Sequence, residues 1–219
     1  LDAVKEKNGV IKARHQLGHA SLIHPDDLPR LQRVDLTSEF SPVLWFPNGM
    51  VEGYAEPLGP ERLEKLWPMQ SVLNAGGRIN IATDGPLFWR EPMETLESAV
   101  TRKAPGAEGA ALGSAEEVDL TSGIKAMTLN AAYLMNQDDT TGSIETGKYA
   151  DMIVLDKNLF DIPETEISTA SVQVTLFNGQ VVYDAESKPS SEETIEDEFG
   201  VELDLTGEAA PHSSEWSRD

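Results

Sequence analysis

The sequence contains no cysteine, and other signatures of familiar chemistries are also missing from it. Without cysteine the chain forms no disulfide, no thiolate metal site and no cysteine nucleophile, so metal ligands must be His, Asp or Glu. No apolar run reaches the length of about 18 residues that could span a bilayer. A nucleophile elbow, a P-loop and a dinucleotide-binding glycine motif are absent as well, which excludes nucleophilic serine and phosphate-cradle readings.

Basic residues are few, because 17 Lys and Arg stand against 38 Asp and Glu and give a formal net charge of -21 over 219 residues. Such a field repels phosphates, so we expect neither a nucleic-acid nor a membrane partner. Residues 185–219 alone hold 11 of the acids, only two bases and few large apolar side chains. We predict an acidic, mobile tail there, with an edge strand over 199–205 as the alternative.

Strand and helix patterns alternate through the first part of the chain. Strands are predicted over 10–17, 36–43 and 78–83, and helices over 25–34, 61–74 and 92–102. The Pro/Gly-rich stretch 42–60 is predicted to be a connection. Such alternation is typical of parallel βα units, whose functional groups lie on the loops that follow the carboxyl ends of the strands.

A different pattern follows a Gly/Ala-rich connection. Ser114 to Glu117 has the form of a capping box. It predicts one long helix whose apolar stripe contains Leu120, Ile124, Met127, Ala131 and Leu134. Beyond it we predict a short buried strand over 152–155 and a hairpin that turns at Asn178–Gly179, which together form a small β module.

Three of the four histidines, His15, His19 and His24, lie close together. On a helix, His15 and His19 would share a face and could chelate a metal, but no Glu follows His15 as zinc proteases require. On a strand, which we favour, His19 stands at the carboxyl end, where barrel active sites gather. On spacing alone, a His19 that only forms hydrogen bonds within a loop is at least as well supported.

Asp84 directly follows the third predicted strand. Its carboxylate would face the same mouth as His19, where it could hold a divalent cation or take a proton from water. An Asp that merely caps the next turn is the commoner case. Trp45, Phe46 and Trp89 follow the second and third strands and could line an apolar substrate pocket, although aromatic loop residues more often cover a core.

Several motifs occur in the order that is found in one known family. The chain resembles the sixth to eighth barrel strands and the closing segment of the amidohydrolase superfamily, family 3, the branch of YtcJ-like and N-substituted formamide deformylase-like enzymes. The resemblance runs from about residue 14 to 183, and its motifs are RHQLGHA at 14–20, PDDLPR at 25–30, SPVLWFP at 41–47, TDGP at 83–86, AVTR at 99–102, TLNAAY at 128–133 and GSIETGKYADMIVLD at 142–156.

The resemblance implies an α/β fold, with the C-terminal portion (strands 6–8) of a metal-dependent (β/α)8 TIM barrel followed by part of a small β-sandwich. Residues 1–135 would be the partial barrel domain, 136–184 the part of the sandwich and 185–219 the acidic tail. A complete barrel needs roughly 200 residues or more. We therefore expect the chain to be a fragment whose partner is the missing N-terminal half of the barrel, encoded before Leu1.

The resemblance also implies a function, namely hydrolysis of the carbon–nitrogen bond of a small-molecule amide or N-acyl substrate. By position, His19 would be a metal ligand and Asp84 both a metal ligand and the catalytic proton carrier. The implied cofactor is a divalent metal, usually zinc, whose other ligands would precede Leu1. Gly18 departs from the family, where a Glu is common before this histidine.

For the chain itself we expect a cytoplasmic location and no activity in isolation. The sequence leaves open whether the chain forms a homo-oligomer. The alternative function is a catalytically inactive remnant or an interaction module that lacks the metal site.

Overall fold

The computed structural model describes residues 1–10, 12–45, 50–84 and 91–187. By its contacts the chain divides into the units Leu1–Ala185 and Glu186–Asp219. Of the predicted tail only residues 185–187 are described, and its alternative strand over 199–205 lies outside the described residues. In the described ranges the first unit contains, in chain order, α1 Asp2–Asn8, β1 His15–Leu17, α2 Leu28–Arg33, β2 Leu36–Phe40, α3 Met50–Leu63, α4 Met69–Asn74, β3 Arg78–Ile81, α5 Pro92–Thr101, α6 Leu120–Met127, α7 Leu129–Leu134, β4 Met152–Leu155, β5 Val172–Phe177 and β6 Gln180–Asp184. None of the helices in these ranges is both long and apolar enough to cross a membrane.

The first three strands form a parallel sheet in the order β1-β2-β3, which confirms the predicted parallel units. In this register Leu17 pairs with Ser38, and Phe40 pairs with Ile81. The strands are shorter than predicted, and β1 begins at His15 because its partner β2 begins only at Leu36. Since β2 lies in the middle, its carboxyl end stands between the ends of β1 and β3.

The helix predicted over 61–74 is interrupted, and this prediction was wrong in its extent. Pro68 cannot donate a backbone hydrogen bond and stands at the N-cap of α4, while Trp67 before it has a left-handed φ of 51°. The stretch 42–60, predicted to be a connection, contains most of α3, which kinks at Gly59. The remaining predictions here are confirmed: Pro25–Asp27 forms a 3₁₀ turn that leads into α2, and Gly76 follows the end of α4.

The capping box predicted at Ser114 does not form, and this prediction was wrong. Ser114–Glu116 is a 3₁₀ turn that begins after Gly113 and has no side-chain cap. The carboxylate of Glu116 accepts hydrogen bonds from the backbone N–H and the hydroxyl of Ser71, which ties this turn to α4. Asp119 caps α6 in its place by accepting a hydrogen bond from the Ser122 backbone N–H. The predicted single helix is two helices, α6 and α7, that meet at Thr128.

Two hydrophobic clusters hold the unit together. The larger one packs the sheet residues Phe40, Ile79 and Ile81 against the helices, with Met69 and Val72 from α4 fully buried. The second cluster joins α5 and α6 to the Glu164–Thr169 turn, and its buried members are Leu96, Val100, Leu120, Leu159, Ile167 and Ala170.

The β module is an antiparallel sheet in the order β4-β5-β6. The predicted hairpin is confirmed, because Asn178 and Gly179 adopt the positive φ angles of 51° and 76° that a type I′ turn requires. The prediction that residues 152–155 form a buried strand was wrong, since Ile153 and Val154 of β4 are each 49% exposed.

Candidate active site at the carboxyl edge of the parallel sheet

Backbone hydrogen bonds beyond the strands bring two of the predicted site residues to one edge. The N–H of Ala20 donates to the carbonyl of Glu39, and the N–H of Ala82 donates to the carbonyl of Phe40. These bonds fix the segments that follow β1 and β3 on either side of the end of β2. His19 and Asp84 lie on those two segments, as the strand interpretation of His19 predicts.

His19 and Asp84 face each other across this edge. His19 Nε2 lies 3.7 Å from Asp84 Oδ1, and the side chains are 50% and 35% exposed, so both remain accessible. His19 Nδ1 lies 3.2 Å from the hydroxyl of Ser41. An imidazole nitrogen and a carboxylate oxygen at this separation are too far apart for a direct hydrogen bond but can both coordinate a cation placed between them.

The backbone around this edge is strained. His19, Trp67 and Asp84 have φ angles of 53°, 51° and 53°, which non-glycine residues rarely adopt. All three line the same cavity. Four other non-glycine residues have positive φ, namely Asp35, Arg102, Asn136 and Asn178, but none of them lines this cavity. Strained residues are often found at functional sites, so three of them around one cavity mark it as a candidate site.

The cavity at this edge has a volume of about 300 Å³ and is lined by His19, Ser21, Ser41, Leu44, Tyr54, Trp67 and Asp84. Its wall is therefore part polar, from two hydroxyls, and part apolar, from an aromatic pair. Tyr54 of α3 meets Trp67 edge to face, with ring centroids 6.2 Å apart. Neither aromatic residue was predicted to belong to the site.

The predicted aromatic pocket residues are placed differently. Trp45 is 1% exposed and stacks on Trp67 with ring centroids 5.0 Å apart, so Trp67 lines the cavity and Trp45 lies behind it in the core. Phe46 and Trp89 lie outside the described residues. The side chains of His15 and His24 are not among the groups that line this cavity.

Arg102 fixes the turn that carries Trp67. It is fully buried, and its guanidinium donates to the carbonyls of Leu66, Trp67 and Leu112 while it stacks over the ring of Trp45. Burial lowers the pKa of Arg102 to about 10, which leaves it charged at neutral pH. A charged group held by three carbonyls and a π face is a rigid support for the strained turn.

Glu39 near the end of the middle strand and Ser41 just after it complete the edge, and neither was predicted from the sequence. A parallel strand covered on both faces normally reads as a nearly continuous apolar run. The sequence Thr37-Ser38-Glu39-Phe40-Ser41 breaks that rule, and this polarity was the signal that could have marked the two residues. For Trp67, Pro68 signals the break in the helix but not that the ring of Trp67 reaches the cavity.

Within the ranges that the structure describes, no group of three or more His, Cys, Asp or Glu side chains is arranged to hold a metal ion. His19 and Asp84 therefore supply two groups of suitable type, and any further ligand would have to come from elsewhere.

A parallel sheet covered by helices, with polar groups gathered at its carboxyl edge, defines the chain as an α/β protein. Solved structures with this fold match it at low sequence identity. A metal-dependent hydrolase from Pyrococcus horikoshii superimposes with a TM-score of 0.58 at 21% identity, covering 74% of this chain and 32% of that one. For guanine deaminase from E. coli the TM-score is 0.56 at 14% identity, with 77% and 39% covered.

Sequence comparison identifies the family. The profile of the amidohydrolase family matches residues 1–183, and the chain belongs to that family. It is 30% identical over 169 residues to the N-substituted formamide deformylase of Arthrobacter pascens, covering 77% of this chain and 31% of the relative. It is 25% identical over 186 residues to the amidohydrolase YtcJ of Bacillus subtilis, covering 84% and 35%. The chain thus spans about a third of the length of the curated relatives it matches.

Proposed function

We propose that this chain supplies strands six to eight of a metal-dependent barrel hydrolase that cleaves the carbon–nitrogen bond of a small amide or N-acyl compound. The observation that carries the proposal is the 3.7 Å approach of His19 Nε2 and Asp84 Oδ1 in a cavity at the carboxyl edge of the sheet. The family assignment supports the same reaction class.

The two residues fit a divalent metal in type and in exposure. Nitrogen from His and oxygen from Asp are the ligands that zinc takes when no thiolate is present. Both side chains are half to a third exposed, so their free electron pairs are open to the cavity. We propose that His19 and Asp84 hold one side of the ion and that the remaining ligands belong to sequence before Leu1. When bound, a divalent cation would polarise the carbonyl of the substrate and acidify water.

In this reaction Asp84 would move the proton. Its carboxylate oxygen, 3.7 Å from the imidazole, would accept a proton from the attacking water and pass it to the leaving nitrogen, as general base and then general acid. The hydroxyl of Ser21 would orient a polar atom of the substrate, and the apolar wall of Leu44, Tyr54 and Trp67 would take its less polar group.

The domain organisation is part of the same proposal. Residues 1–135 would form the partial barrel and 136–184 part of a small sandwich, with 185–219 as a tail. The exposed apolar side chains of the module support this, because Phe177, Val181 and Val182 are 60–65% exposed on a sheet that would be covered in a complete sandwich.

The test is amide hydrolysis by the complete protein, expressed with any sequence that precedes Leu1 and supplied with zinc, on a panel of N-formyl and N-acyl amines. We expect His19→Ala and Asp84→Asn each to reduce kcat/KM at least about a hundredfold, the lower range for loss of a general base or a metal ligand.

The control is a second His–Asp pair in the same chain. His24 Nδ1 lies 3.6 Å from Asp26 Oδ2, nearly the same separation, but on an exposed loop away from the cavity. His24→Ala and Asp26→Asn should retain the activity of the unmodified protein. Full activity of both His19→Ala and Asp84→Asn would refute the assigned roles, and a complete protein without metal or hydrolysis would favour the inactive remnant.

A further inference from the structure

Glu39 is a buried carboxylate at the active edge for which the proposed reaction has no use. It is 6% exposed and lies near the end of the middle strand β2. In the described part of the chain its carboxylate has no lysine or arginine within ion-pair distance, and its nearest basic group is His19 Nδ1 at 3.9 Å. A buried charge without a cationic partner is costly, so hydrogen bonds must stabilise it.

Two hydrogen bonds connect Glu39 to His19, one directly and one through Ser41. Glu39 Oε2 accepts from the backbone N–H of His19 at 3.0 Å, and Oε1 accepts from the hydroxyl of Ser41 at 2.6 Å. The carboxylate thus holds the strained backbone of His19 in place.

The direction of these bonds determines which nitrogen of His19 carries the proton. A carboxylate can only accept, so the single hydrogen of the Ser41 hydroxyl is directed to Glu39. Toward His19 Nδ1, 3.2 Å away, Ser41 can offer only a lone pair. Nδ1 must therefore carry the hydrogen, which leaves the lone pair on Nε2, the nitrogen that faces Asp84.

We propose that Glu39 is a positioning residue that acts through Ser41 to hold His19 in the Nδ1–H tautomer and so keeps Nε2 free to coordinate or accept a proton. The use of Nε2 rests on the proposed function, whereas the tautomer itself does not. The chain Glu39–Ser41–His19 runs within the sheet edge and needs no residue outside the described ranges.

The test is nitrogen-15 NMR of the imidazole rings in the complete, metal-free protein, at an alkaline pH where an ordinary histidine is neutral. His19 is assigned by the loss of its signals in His19→Gln. We expect the Nδ1–H pattern in the unmodified protein. The Nε2–H pattern there would overturn the proposal without any variant.

Glu39→Gln sharpens the test, because it keeps the shape and removes the charge. Its amide oxygen can still accept from the His19 backbone, but its NH₂ group then donates to Ser41 and frees the hydroxyl hydrogen for Nδ1. We expect the two nitrogen shifts of His19 to exchange, giving Nε2–H. Ser41→Ala should give a mixture of tautomers, and an unchanged Nδ1–H pattern in both variants would contradict the relay.

Glu97→Gln is the matched control. Glu97 is also buried, at 1% exposure, and also accepts two hydrogen bonds, from the N–H groups of Gly106 and Ser168, but it does not contact His19. Glu97→Gln should leave the His19 signals unchanged. A tautomer switch of His19 in Glu97→Gln would show that loss of any buried carboxylate disturbs the fold enough to change the tautomer, and this would overturn the relay. If the complete unmodified protein has the Nδ1–H tautomer but binds no zinc, that result would contradict the proposed function and not this inference.

Discussion

The α/β region, residues 12–135, and the β module, residues 136–184, differ in how deeply they bury the same types of apolar side chain. In the α/β region Val72 and Ile79 are fully buried, whereas in the module Val182 is 60% and Ile153 is 49% exposed. The α/β region also contains the strained edge and the cavity. The α/β region therefore has a hydrophobic core of its own, whereas the sheet of the module exposes apolar surface that another part of a protein could cover.

The two regions are nevertheless joined by specific contacts. The Glu164–Thr169 turn packs against α5 through Ile167, which is fully buried. Glu97 of α5 reinforces this contact by accepting a hydrogen bond from the N–H of Ser168. The module is therefore attached through its connecting turn and through Leu155 at the end of β4, which packs against the same cluster.

The largest effect is expected in the α/β region at Arg102. Arg102→Ala would leave the carbonyls of Leu66, Trp67 and Leu112 without their buried donor and would open space beside Trp45. We expect the free energy of unfolding to fall by about 3–5 kcal/mol. Denaturant unfolding followed by tryptophan fluorescence measures this loss, and a loss below about 1 kcal/mol would show that the turn at Trp67 does not depend on Arg102.

A pair of identical substitutions compares the two regions directly. Val72→Ala removes two methyl groups from a fully buried site and should cost about 2 kcal/mol, while Val182→Ala on the exposed face of β6 should cost less than about 0.5 kcal/mol in the 219-residue chain. The midpoints of urea unfolding give both values. Equal costs would break the comparison, and a higher cost for Val182→Ala in a longer form of the protein would show that the module is covered there.

The smallest effect concerns acid stability at the amino end of the sheet. The Tyr133 hydroxyl, and after it Arg78, lower the pKa of Asp35 against the effect of its partial burial. Because the folded pKa lies below the unfolded value of about 3.9, this contribution is present above that pH and is lost as the pH falls through the folded pKa.

Asp35 is 59% exposed, so solvent screening keeps the contribution below about 1 kcal/mol. Asp35→Asn should therefore flatten the fall in stability below pH 4 by a small amount, as thermal unfolding at several pH values would record. A pH dependence identical to that of the unmodified chain would show that the lowered pKa of Asp35 does not contribute to stability.

The sequence was sufficient for most of the fold, because hydrophobic period and turn residues are local signals. The parallel strands, the Asn178–Gly179 hairpin and α5 were predicted from such signals. The errors at Pro68 and at Ser114 have different causes. Pro68 is itself a local signal, because a proline inside a helical pattern ends the helix before it. At Ser114 the local pattern fails, since the turn has no side-chain cap and Glu116 instead joins it to Ser71.

For the site, the sequence predicted the residues that end strands and missed those that only the fold brings near. His19 and Asp84 could be inferred because strand ends are visible as breaks in the pattern. Tyr54 and Trp67 reach the cavity through the kinked α3 and the strained turn after it, which no local pattern foretells. Glu39 was marked by its polarity within a strand, but its link to His19 depends on the parallel register.

The most direct test of the central claim, that His19 and Asp84 form part of a metal centre, is the zinc content of the complete protein after dialysis, measured by mass spectrometry. We predict at least one bound zinc per chain, its loss in His19→Ala and Asp84→Asn, and its retention in the matched exposed variants His24→Ala and Asp26→Asn. Retention of the full zinc content in His19→Ala would contradict the account.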